Sequence, residues 1–178
     1  MPVQEIAKQV VQQIQVRQLQ VERFSIVSHK PLAAVLQAID AAIGHPDMRK
    51  MHTDVAAATT YAELESVIQK LTGPSDLMEF MRLDMGSYLA KGRTAPTPGS
   101  FRLLVGNPLI MRRMAEHVPD TASYAPVTIL IDERADGVHL TYDRMASFLQ
   151  SYRNEAALAV ARDLDRKVEA MLTAAASE

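Results

Sequence analysis

The stretch from Phe101 to Asp143, FRLLVGNPLIMRRMAEHVPDTASYAPVTILIDERADGVHLTYD, decides the fold. Phe101 to Val105 is short, largely apolar and bounded by a turn, the pattern of an interior strand. At Gly106-Asn107-Pro108 the chain turns into a helix. Asn107 can cap it with its side chain, and Pro108 suits the first helical position, where no amide hydrogen bond is lost. That helix is expected to run from Pro108 to His117, with Leu109, Met114, Ala115 and Val118 facing a sheet and Pro119 ending it. Tyr124-Ala125-Pro126 leads into a hairpin, because proline belongs at a strand start where no ladder amide is required. If Asp136-Gly137 is a two-residue turn, Ala135 pairs with Val138 and Ile131 falls opposite Tyr142. One face then carries Val127, Ile129, Ile131, Val138, Leu140 and Tyr142. The other carries Thr128, Leu130, Asp132, Arg134, His139, Thr141 and Asp143.

The flanking segments read as elements that pack onto this centre. Residues 2–17 have the apolar spacing of an amphipathic helix (Val3, Ile6, Ala7, Val10, Ile14), and Pro2 suits its first turn. Leu19 to Val27 reads as a strand. Pro31 opens a helix with Leu32, Val35, Leu36, Ile39 and Ile43 in one stripe, and Gly44 is expected to stop it in a left-handed conformation. Residues 45–59 are ambiguous between helix and loop. Thr60 and Glu63 form a capping box for a helix that buries Leu64, Val67, Ile68 and Leu71. Leu77 to Met85 reads as a strand, and Gly86 to Ser100 as a loop rich in proline and glycine. Residues 144–152 suggest a brief helix. Asn154 then caps a long one to Ala175, with Leu158, Ala161, Leu164, Val168, Met171 and Leu172 along one side; it lies outside the sheet-forming centre.

Composition narrows the function classes. A chain of 178 residues fits one domain with helical additions. Its 19 basic and 21 acidic residues leave a net charge of −2, and only 5% of residues are aromatic, so neither nucleic acid nor an anionic membrane is an expected partner. No cysteine is present, which removes disulfides, thiolate nucleophiles and thiolate metal sites. No apolar run approaches the ~20 residues needed to span a bilayer. No signal peptide is read at the N-terminus, and the expected location is cytoplasmic.

Three places invite a chemical reading. The turn at Asn107 gathers free backbone amides and the positive end of a helix dipole, a setting for carboxylate or phosphate, and Arg112 and Arg113 lie one turn along. The plainer alternative is that Asn107 satisfies the amides and both arginines are solvated. The turn lacks the multiple glycines of a nucleotide fingerprint. Asp132 and His139 are expected as diagonal neighbours able to form a base–orienter pair, yet no nucleophile is placed beside them and a solvated sheet face explains them. His45, His52 and Asp54 lie too far apart along a helix for adjacent-turn metal ligation, so no metal site is expected.

These residues also carry a resemblance. Gly106-Asn107-Pro108, Tyr124-Ala125-Pro126, Gly137-Val138 with Tyr142-Asp143, and Asp84 with Gly86 in LMEFMRLDMGSYL resemble the DUF302 family across residues 20–150. Met145 departs from the pattern, since many members have proline there. The resemblance implies an α+β fold, an antiparallel β-sheet with helices packed mainly on one face, often in a homodimer. It implies no activity.

The division expected is an N-terminal helical extension over 1–18, the α+β domain over 19–152 and a C-terminal helix over 153–178. The expected role is a non-catalytic small-ligand-binding or protein-interaction module acting as a homodimer. The alternative is an enzyme or sensor for a small anionic metabolite held at the helix start after Asn107. Asn107, Arg112, Arg113, Tyr124 and Tyr142 are the candidate ligand-binding residues. No catalytic residue and no cofactor is assigned.

Overall fold

Alternation of apolar and polar side chains builds a five-stranded sheet, β1 (Arg23–Ser28), β2 (Met78–Asp84), β3 (Ser100–Gly106), β4 (Val127–Arg134) and β5 (Gly137–Asp143), in the order β1-β5-β4-β3-β2. Every neighbouring pair is antiparallel. The computed structural model describes residues 14–177. The helix expected over 2–17 therefore lies almost wholly outside the described residues, and Ile14 to Arg17 carry no helix and are exposed.

The helices are α1 (Leu32–Ala42), α2 (Met48–Ala57), α3 (Tyr61–Gln69), α4 (Met85–Leu89), α5 (Pro108–Ala115), α6 (Met145–Leu149) and α7 (Glu155–Ala176). Cross-strand rows Phe24–Tyr142–Ile129–Leu103 and Ile26–Leu140–Ile131–Phe101 form the covered face of the sheet. Val35 and Ile39 of α1, Ile110 and Met114 of α5 and one side of α7 join them in one core. Tyr142, Leu140, Ile131, Ile129 and Leu103 are fully buried, each side chain contributing about 1.5–3 kcal/mol relative to exposure. The fold is α+β, with the helices packed mainly on one face.

The hairpin faces are as expected, but its register is not. Arg134 pairs with Gly137, Ile131 with Leu140 and Ile129 with Tyr142. The turn residues are therefore Ala135 and Asp136. A shift of two residues preserves the side-chain period, so every apolar residue stays on the buried face. The reason lies at Gly137, which takes φ +139° as the first residue of β5. A Cβ there would meet the Ser28 carbonyl oxygen of β1 at 2.6 Å. The glycine serves the approach of a third strand, while Ala135 and Asp136 keep negative φ.

Gly44 is a second correction. The helix before it ends at Ala42 and Ile43 is already extended, so no left-handed stop is made. Gly44 instead bridges to Met78, and a Cβ on it would stand 1.8 Å from the Leu71 carbonyl oxygen. Thr60 and Glu63 form the expected capping box at α3. Residues 48–57 resolve as helix, capped by Asp47, which accepts from the Arg49 and Lys50 amides. These two helices pack a smaller cluster of Met51, Ile68 and Met78. Leu109 joins that cluster, and Ile110 takes the sheet-facing place expected for it.

The C-terminal helix is not an appendage. Leu158, Ala161, Leu164, Val168 and Leu172 of α7 belong to the main core. Its last carbonyls are satisfied by the first strand's neighbours: Ser28 Oγ donates to Ala176 O at 2.8 Å, and Lys30 Nζ to Ala175 O and Ser177 O at 3.0 Å. A cation at the negative end of a helix dipole adds to the fit. No helix among the described residues is long and apolar enough to cross a membrane.

Candidate functional site

At the helix start after the central strand, the chain supplies its own partners. Asn107 Oδ1 accepts from the Leu109 amide at 2.8 Å, and its Nδ2 donates to both Asp76 O and Asp76 Oδ1 at 3.0 Å. Both amide protons and the carbonyl are used, and the residue is buried. Asp76, held in the left-handed region at φ 62°, presents its other carboxylate oxygen to Lys167 Nζ at 3.1 Å. A carboxylate of the protein therefore stands beside the Asn107 side chain, next to the helix start where an external anion was expected.

The other expected residues do not converge on that point. Arg112 pairs with Glu116 at 2.9 Å and lies over the Tyr61 ring, 4.4 Å from its centroid. Arg113 lines a separate cleft of about 430 Å³ with Asp76, Asp163, Arg166 and Lys167. There Lys167 is paired with Asp76, and Arg166 with Asp163. Tyr142 is in the core, and its hydroxyl donates to Asp165 Oδ1 at 2.5 Å. Burial next to a carboxylate raises that phenol's pKa far above its ordinary value. Nothing of Tyr142 is left to offer a ligand.

Tyr124 leads elsewhere, to the uncovered face of the sheet. The register places Leu83, Arg102, Leu130, Thr141 and Ser25 in one row on that face, flanked by Met81, Leu104 and Thr128. At the end where β4 begins and β5 ends, a 3₁₀ turn (Pro119–Ser123) and α6 rise beside the sheet. Between them lies a groove of about 430 Å³ floored by Arg102, Thr128, Leu130 and Thr141 and walled by Tyr124 and Phe148. The volume is that of a small-molecule site.

The groove has one apolar wall and one charged floor. Tyr124 and Phe148 stack with centroids 5.0 Å apart and planes 17° from parallel. The Tyr124 hydroxyl is fixed by a 2.8 Å bond with that of Tyr152, which donates to Asp120 Oδ2 at 2.8 Å. Arg17 lies over the ring of Tyr152, 4.2 Å from its centroid. On the floor, Arg23 and Asp143 form a two-bond pair at 2.6 and 2.9 Å. Arg102 is exposed and makes no ion pair among the described residues. Its side-chain hydrogen bond among the described residues is a long one, donated to Thr128 Oγ1 at 3.5 Å.

Other charged clusters are internally neutralised. Asp40, His45 and Glu79 bring ligand atoms within 4.8 Å of one another, a spacing that suits a metal ion. The Arg82 guanidinium already binds both Asp40 and Glu79, so a cation is in place. Asp132 and His139 are directly opposed across β4 and β5 rather than diagonal. They do not bond to each other: Asp132 takes Arg134 at 2.7 Å, and His139 takes Asp136 at 2.8 Å.

Comparison with known proteins agrees with the fold. A family model described as "Domain of unknown function DUF302" matches residues 51–175. The chain belongs to the DUF302 family. The match takes in α7 and leaves out residues 20–50, so the family's extent differs from the 20–150 read from motifs. The fold is similar to the crystal structure of an uncharacterized conserved DUF302 protein from Bacillus stearothermophilus. The TM-score is 0.59 at 8% identity, over 86% of this chain and 97% of that one. No curated protein matches. At Met145, which departs from the proline that the resemblance implies for many members, the amide donates to Asp165 Oδ1 at 2.7 Å, a bond proline cannot make.

Arg102, Thr128, Thr141 and Phe148 were not singled out from sequence. The signal for part of the set was present: period two already put Thr128, Leu130 and Thr141 on the hairpin's outer face.

Proposed function

We propose that this protein is a non-catalytic binding module, working as a homodimer, that holds a small anion in the groove on the uncovered face of its sheet. The observation that carries the reading is Arg102, an arginine without an ion pair among the described residues, on the floor of a cavity with an apolar wall. Ligand sites are mostly apolar with a few placed polar groups, and this groove has that make-up. The cleft at Arg113 also holds an arginine outside its two ion pairs, but no aromatic side chain lines it, and the aromatic wall favours the groove. Nitrogen–proton correlation NMR during titration with benzoate, acetate and inorganic phosphate tests the choice. The expected result is a cluster of shifts at Arg102, Thr128, Thr141 and Tyr124. A cluster at Asn107 and Arg113 instead would move the site to the cleft.

The dimer rests on the other half of the same face. Met81 is 50% exposed there, beside Leu83 and Leu104, while Tyr88 and Leu89 of α4 are also exposed. Apolar side chains together on an open sheet favour contact with a second copy. Light scattering should give twice the 19.6 kDa chain mass, and Met81→Lys should reduce it to one. A single-chain mass for the unmodified protein at micromolar concentration contradicts the dimer.

A further inference from the structure

We infer that the ligand of the uncovered-face groove is a planar aromatic monocarboxylate. This rests on the groove being the binding site and names the class of molecule it takes. Three features of the lining select that class.

The first is charge. Arg23, Arg102 and Asp143 line the groove, so two guanidinium groups face one carboxylate and a single positive charge is left over. Asp143 engages Arg23 through both its oxygens, which leaves Arg102 as the free donor. One negative charge on the ligand completes the balance, whereas a dianion would meet the Asp143 carboxylate without a second free cation. The second is the shape of the donor. Guanidinium is a planar fork that matches a carboxylate through two parallel hydrogen bonds. The third is the wall. Tyr124 and Phe148 are near parallel, and Tyr124 is held in place through Tyr152 and Asp120. Stacked on each other, the two rings leave an outer face and their edges for a third ring. A preorganised aromatic wall of this kind rewards an aromatic body through stacked or edge-to-face contact beyond simple area burial.

The distances fit. Arg102 and Thr141 stand on β3 and β5 with β4 between them, about 10 Å apart at ordinary strand spacing. A fused ring bearing a carboxylate spans that gap, with Leu130 beneath it and the hydroxyls of Thr128 and Thr141 at its margins.

The test is calorimetric titration of the full chain with 2-naphthoate, uncharged 2-naphthamide, the saturated and non-planar decahydro-2-naphthoate, and inorganic phosphate. Each is repeated on Arg102→Gln and Phe148→Leu. The expected result is that 2-naphthoate binds at least about tenfold more tightly than the amide, the worth of one charge-assisted hydrogen bond, and several-fold more tightly than the saturated acid, the worth of an aromatic contact, with phosphate weaker than 2-naphthoate. Arg102→Gln should remove that margin over the amide, and Phe148→Leu the margin over the saturated acid. If phosphate or the saturated acid binds as well as 2-naphthoate and still depends on Arg102, the aromatic class is wrong while the groove stands. If 2-naphthoate leads the series but is indifferent to both substitutions, the groove is wrong. Binding by none of the four at millimolar concentration overturns both. Arg102 is exposed and outside the core, so its variant is expected to fold, and an unchanged melting temperature verifies this.

Discussion

Tyr142 and Asp165 join the middle of the sheet to the C-terminal helix by a single buried bond, the tyrosine hydroxyl donating to carboxylate Oδ1. The same carboxylate accepts from the Met145 amide at 2.7 Å and the Ala146 amide at 3.0 Å. One aspartate on α7 thus closes the start of α6, which carries the groove's Phe148 wall. Tyr142→Phe removes a hydrogen bond to a charged group and should cost about 1.5–3 kcal/mol in urea denaturation. Anion binding should not change, because the ring fills the core and reaches no ligand. Lost binding with unchanged stability would instead place Tyr142 at the site.

Asp165 also sets a pH dependence. Burial raises its pKa above the ordinary 3.8, with the three hydrogen bonds it accepts pulling partly back. A carboxyl whose folded pKa is raised binds its proton more tightly when folded. Its contribution to stability is therefore complete below 3.8 and is lost as pH rises through the elevated folded value. The stability of the unmodified protein relative to Asp165→Asn should fall as pH is raised from 4 toward neutrality. A gap that widens over that range would show the hydrogen bonds winning over burial.

At the helix start, Asn107→Ala removes a cap and the link to Asp76 together. The expected loss is about 2 kcal/mol, one part from the cap and the rest from the two bonds to Asp76. Arg112→Ala, at a half-exposed pair on the surface, should cost less than about 1 kcal/mol. Equal losses in thermal or chemical denaturation would contradict the buried network around Asn107.

Gly44 separates two explanations of a glycine. If a left-handed stop were its purpose, Gly44→Asn would be tolerated, since asparagine visits that region readily. Close approach to the Leu71 carbonyl predicts otherwise. Gly44→Ala and Gly44→Asn should both destabilise by about 1–3 kcal/mol or more, through overpacking against backbone that cannot move aside. Measured denaturation midpoints for the two variants decide between these roles.

These cases mark what a sequence of this kind discloses. The hairpin faces were legible because period two is indifferent to a slip of two residues. The register was not, because Gly137 answers to Ser28 on a strand more than a hundred positions away, and turn chemistry sees only neighbours. The Asn107 cap was legible from an asparagine–proline pair. Its engagement with Asp76 was not, since nothing local predicts a left-handed aspartate brought beside it. Asp165 lies in a helix rich in charge, and nothing local in the sequence marks it as the partner of the Met145 and Ala146 amides. The groove is the hardest case: Arg102, Thr128, Thr141 and Phe148 come from four elements, and only the strand order brings them together.

If the uncovered face of the sheet holds the ligand, the bound molecule lies over Leu130 between Arg102 and Thr141. A crystal structure of the protein grown with 2-naphthoate tests it most directly. Density for the acid is expected in the groove, its carboxylate on the Arg102 guanidinium and its rings along Tyr124 and Phe148. Density beside Arg113 and Asn107, with the groove occupied by solvent alone, would contradict it.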